Sequence, residues 1–172
     1  GQQPGPGVST PGSEGRIGVP RTRTAGQNVS FCVSVTDDFY NLYVDSVTSV
    51  YVSDTDVNND GDSPDQWLVV PGSTTFSRRV VTADPVGMVV QSTGSGVIPN
   101  PSNPATPVPV VGQPASQLLA LLPGESRVQG KYGIPPFGKS GTPDPIWAGS
   151  TYTARMYAVD PFFNDDATVN YP

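Results

Sequence analysis

Val29, Phe31, Val33 and Val35 alternate with polar or small residues. This two-residue period belongs to a strand buried on one face. Its phase turns Cys32 outward. Val44 to Val52 reads as a second strand region, Trp67 to Val70 as a short third ended by a Pro71-Gly72 turn, Phe76 to Thr82 as a fourth and Val86 to Val90 as a fifth. Leu118 to Leu122 is a compact apolar strand that returns to the core. Between the first two strands, Asp37-Asp38-Phe39-Tyr40-Asn41 reads as a turn, because Asp and Asn bond their own backbone and tolerate left-handed conformations. Prolines at 99, 101, 104, 107 and 109 exclude a central strand, so residues 94–114 are expected as an extended connector or an edge. Residues 1–24 and 124–147 read as loops. No helical period of useful length occurs, so the expected class is all-β.

The chain repeats itself. Laying residues 124–172 over residues 1–49, an offset of 123, gives ten identities without a gap: Gly1, Gly7, Gly15, Gly18, Pro20, Ala25, Gly26, Asp37, Phe39 and Asn41 recur. Average residue usage predicts roughly three. The matches fall on residues that set backbone geometry and packing, as expected of a structural repeat. In the second copy the inward strand positions are expected at Tyr152, Ala154, Met156 and Ala158, with Arg155 outward where Cys32 stands. Two front halves thus accompany one back half, residues 50–123. Either the chain is a slice of a longer array, or the spare front half joins a neighbouring molecule.

The Ala25-Gly26 pair, the alternating strand and the Asp37, Phe39, Asn41 turn resemble the opening of bacterial immunoglobulin-like tandem-repeat domains of extracellular surface proteins. Ala148-Gly149 through Asn164 is similar to the same pattern. Leu121-Leu122-Pro123-Gly124 and the later Gly138-Lys139-Ser140-Gly141-Thr142-Pro143 resemble linkers between such modules. The long proline stretch and an acidic loop depart from the family. The resemblance implies an immunoglobulin-like β-sandwich repeat with long Pro/Gly-rich connectors. It would be organised as a module over 1–122 (lead-in 1–24, sandwich 25–122) and the front half of a second copy over 123–172. It also implies an extracellular or cell-surface location and no catalytic residues.

Charge and composition narrow the function classes. The net charge is −6, with nine Lys and Arg against fifteen Asp and Glu. That balance disfavours nucleic acid, whose phosphates need clustered cations, and anionic membrane surfaces. No apolar run reaches the length of a membrane span. The chain has no histidine and a single cysteine, Cys32, so a Ser-His-Asp constellation and an intrachain disulfide are both excluded. The adjacent carboxylates Asp37-Asp38 and Asp165-Asp166 face opposite ways on extended chain and make poor acid/base partners. We therefore expect no enzyme. The expected role is structural, as part of a stalk, sheath or filament whose partners are neighbouring copies of the module. The alternative is an adhesin module that binds glycan or host protein through its loops.

One segment has candidate metal chemistry. Asp56, Asn58 and Asp60 have the alternate spacing of a calcium loop, with Gly61 at its sixth position and Asp62 and Asp65 able to add oxygen ligands. The local pattern resembles dockerin-type calcium loops, although Trp67 stands where the closing acid belongs. The competing reading is a bare Asp/Asn turn between strands. Asn28-Val29-Ser30 is an N-glycosylation sequon. Trp67 and Trp147 are read as core or joint residues rather than ligand platforms.

Overall fold

The computed structural model describes residues 1–8, 14–44, 47–58, 66–92 and 107–166. Every regular element among them is a strand: β1 (Gln3–Pro4), β2 (Arg16–Ile17), β3 (Arg23–Thr24), β4 (Asn28–Ser34), β5 (Val47–Asp54), β6 (Gln66–Pro71), β7 (Ser73–Arg79), β8 (Met88–Ser92), β9 (Val110–Val111), β10 (Gln117–Leu121), β11 (Glu125–Arg127), β12 (Lys139–Gly141) and β13 (Arg155–Val159). The chain is all-β.

Two sheets form the body. β4 pairs antiparallel with β7, Phe31 opposite Phe76, and β5 lies between β6 and β8, again antiparallel. Gly72 makes the tight turn from β6 into β7 at φ +70°, where an added Cβ would press on the Val44 backbone. The inward residues of both sheets meet in one buried cluster of Val35, Val50, Val52, Val70, Phe76 and Met88. A buried ion pair links the two sheets: the Arg78 guanidinium of β7 binds Asp54 at the end of β5, Nε to Oδ2 at 2.8 Å.

A second cluster closes one end of the body with Ala25, Val29, Val80, Val81, Val86, Val108 and Val110. Val110 lies in β9, which runs parallel to β3, and Val108 bridges to Val86. Pro107 and Pro109 are exposed while Val108 and Val110 are buried. This is the edge use expected of the proline-rich stretch; residues 94–106 lie outside the described residues.

The expected loops over 1–24 and 124–147 contain strands. β1 pairs with β2 and β11 with β12 as small ribbons. They escape the sequence pattern because two or three residues are too few to display a period.

The phase expected in the second copy is also corrected. β13 buries Val159 and half-buries Tyr157, while Met156 is 57% exposed. Met156 and Ala158 occupy the positions of Val33 and Val35, whose packing partners come from the back half, present once. β13 instead pairs with β10 and packs its other face with Leu119 and Leu121.

Candidate functional site

Both copies of the repeated Asp-Phe-Asn turn are built the same way. Asp37 Oδ1 accepts from the amides of Phe39 and Asn41, and Asp37 Oδ2 accepts from Asn41 Nδ2. Asp160 holds Phe162 and Asn164 through the same three bonds. The backbones close likewise: Asp37 N to Asn41 O and Asp160 N to Asn164 O are both 3.0 Å. Tyr40 and Phe163, at the same place, are the two non-glycine residues at positive φ among the described residues, +63° and +64°. Each is matched by a glycine whose added Cβ would strike its ring, Gly15 for Tyr40 and Gly138 for Phe163.

The agreement extends through the lead-in ribbons. Gly15 N bonds Val8 O, and Gly138 N bonds Lys131 O; Gly5 N bonds Gly15 O, and Val128 N bonds Gly138 O. The paired glycines share φ: +75° at Gly7 and Gly130, +83° and +84° at Gly18 and Gly141. These are conformations in which a side chain is strained. The two stretches thus carry the same backbone devices at the same offset.

Their surroundings differ completely. The first clasp is on the surface: Phe39 is 72% exposed and Asp37 and Asn41 are exposed. The second is embedded in the end of the body: Phe162 is 7% exposed, and Asp160 and Asn164 are fully buried. Phe162 lies against Gly26, where no side chain fits, with the Arg79 guanidinium 5.2 Å from its ring centre and Tyr132 edge-on at 4.9 Å.

Asn164 pins the clasp to the body. Its Nδ2 donates to Val81 O and its Oδ1 accepts from Ala83 N, both at 2.8 Å. Asp160 Oδ2 accepts from Gln113 N, and Asp166 Oδ2 accepts from Ala115 N. Arg127 pairs with Asp165, and its guanidinium also lies 4.8 Å over the Tyr157 ring. Every buried polar group in this list has a partner, as a stable joint requires. β10 then leaves the body and pairs along β13, Leu119 opposite Tyr157. The joint therefore combines a strand handed forward with a clasp handed back. Beside it lies an open cleft of about 580 Å³ lined by Leu121, Pro123, Glu125, Arg127, Arg155 and Tyr157.

The acidic loop contributes to the same region. Asp56 is buried; its Oδ2 accepts from the amides of Val81 and Thr82, and its Oδ1 accepts from Asn58 N and Thr82 Oγ1. Asn58 Nδ2 donates to Thr82 Oγ1 and Gln129 O, the latter in the lead-in of the second copy. Both side chains are thus bound to protein groups. Asp60, Asp62 and Asp65 lie outside the described residues, and among the described residues no cluster of three metal-ligating side chains occurs.

Asn28 is exposed at the start of β4, opposite Arg79. Cys32 is exposed, its Sγ 3.1 Å from Ser73 Oγ. Trp147 is 85% exposed rather than packed in a core or joint. Sequence reasoning missed Arg78, a cation aligned with the inward phase of Phe76, and it missed Gln113 and Asn58 as joint residues.

No protein-family model, curated protein or solved structure matches the chain.

Proposed function

We propose that this chain is a structural module of an extracellular tandem array, an immunoglobulin-like β-sandwich that stacks end to end in a cell-surface stalk, sheath or filament. The observation that carries this reading is the contrast between the two clasps. One chain holds the same device twice, once free and once seated in the end of a sandwich-like body. A surface made for joining explains both states; a closed monomer explains only the seated one. The hydrogen bonds that tie the seated clasp to Val81, Ala83, Gln113 and Ala115 support stiffness, because bending at the joint would have to break them as well as apolar contacts. Neighbouring copies of the module are the partners this reading assigns.

The test is negative-stain electron microscopy of the native material. Continuous fibres or regular strings of beads with a constant spacing are expected. Separate single particles of this size would remove the array reading. Strong, selective hits on a glycan array would replace it with an adhesin.

A further inference from the structure

We propose that the free edge of β4 and the exposed Asp37 clasp are the receiving end of the joint, filled by the β10-type strand and body end of a preceding module in the same polypeptide. The proposal rests on the array reading and adds the mode of joining.

Among the described residues β4 pairs with β7 alone. Val35 N donates to Gly72 O on the β7 side, so the alternate residues Cys32, Ser34 and Thr36 aim their backbone groups at the other edge. In the second copy, the position of Thr36 is held by Val159, whose carbonyl accepts from Ser116 N on the β10 side. The edge that β13 gives to β10 is therefore the edge of β4 that no described strand pairs.

The register is supplied by the second copy. Leu121, Leu119 and Gln117 lie opposite Arg155, Tyr157 and Val159, which correspond to Cys32, Ser34 and Thr36. A preceding β10-type strand laid in that register places its Leu118 and Ala120 equivalents beside Val35 and Val33. Val35 belongs to the main buried cluster, and Val33 is only partly covered against it. In this chain Leu118 itself is an apolar side chain left 69% exposed.

The clasp fits the same occupant. Phe39 corresponds to Phe162, which enters the Gly26 recess, and Asp37 corresponds to Asp160, whose Oδ2 accepts from Gln113 N. Two positions change character: Leu42 and Tyr43, 53% and 56% exposed, stand where Asp165 and Asp166 make polar contacts. This end of the joint is more apolar than the seated one.

The test places residues 1–123 directly ahead of the full chain, so that Gly1 follows Pro123 as Gly124 does, and measures amide hydrogen exchange by mass spectrometry. In the unextended chain, the peptide covering Phe31 to Thr36 is expected to show one population, fast at the outer-edge amides. In the extended chain it should split into two equal populations, one slower by on the order of 100-fold. Protection at Arg155 to Val159 reports that the fold is intact. Protection there with a single fast population over Phe31 to Thr36 overturns the proposal. Loss of protection at both sites also overturns it, because stackable modules must tolerate stacking. Concentration-dependent protection in the unextended chain places another molecule's strand on the edge and overturns the in-chain assignment. Fibres in native material together with an unprotected edge would leave the array reading standing and remove only this joint.

Discussion

Phe162 and Phe39 occupy the same turn position 123 residues apart, yet one is 7% exposed and the other 72%. Their local backbones agree, so the difference is entirely one of docking. Phe162→Ala is expected to destabilise the chain by about 3–5 kcal/mol, the range for emptying a well-packed aromatic site. Phe39→Ala is expected to stay within about 0.5 kcal/mol, as surface changes do. Urea denaturation of both variants, with the exchange protection of Arg155 to Val159 as a local probe, checks this. Equal losses would mean that the burial of Phe162 contributes nothing to the joint.

Gly26 and Gly149 form a second matched pair, at φ +83° and +86°. A methyl group on Gly26 lands on the Phe162 ring; on Gly149 it meets nothing within 4 Å. Gly149→Ala should cost only the left-handed strain, roughly 1–2 kcal/mol. Gly26→Ala should cost more, because it also lifts Phe162 from its seat, and Tyr132 should become more accessible to solvent. Thermal melts with tyrosine fluorescence separate the two effects.

The carboxylates give the pH dependence a sign. Asn41 and the local amides hold Asp37 below its ordinary 3.8, and the Leu122 amide with Lys139 holds Glu125 below 4.5. A depressed folded value contributes stability that is present above the unfolded value and lost as pH falls through the folded one. Asp54 has the opposite sign: burial raises it against the pull of Arg78. Its contribution is fully present below its ordinary value and is lost as pH rises through the folded one. The expected profile is a decline below pH 4.5 that is shallower in the Asp37→Asn, Glu125→Gln double variant. Denaturant midpoints measured from neutral pH down to about pH 2 test it; a decline of unchanged slope in the double variant would place the acid sensitivity elsewhere.

Asp56 offers a test of the loop. Its two oxygens already accept four hydrogen bonds from the body and its own turn. Asp56→Ala is expected to cost about 3 kcal/mol, since buried amides at Val81 and Thr82 lose their acceptor. That loss should be the same in calcium and in chelator, and the parent melting temperature should not move between the two. A rise of several degrees with calcium would give the loop a bound cation.

The sequence carried the recurrence of the front half because its markers are residues with special backbone duties. Gly15 and Gly138 accept ring contacts that a Cβ would block, and Asp37 and Asp160 each hold three groups of their own turn. β4 was legible because one face is buried against a complete partner sheet. β13 was misread at Met156 because alternation announces a buried face without saying which partner is present to bury it. The joint itself was not legible. Gln113, Ala83 and Val81 meet the clasp mainly through main-chain groups, which every sequence possesses, and only the fold brings them together. Arg78 was hidden for the converse reason: a cation at an inward position looks like a break in the pattern until Asp54 is placed beside it.

Asn164 holds Val81 and Ala83 by their carbonyl and amide rather than by their side chains. Side-chain changes at Val81 and Ala83 therefore leave these two bonds available. In the array we propose, a string of such modules could change what it shows to the outside along its length while every link is fastened through main-chain groups.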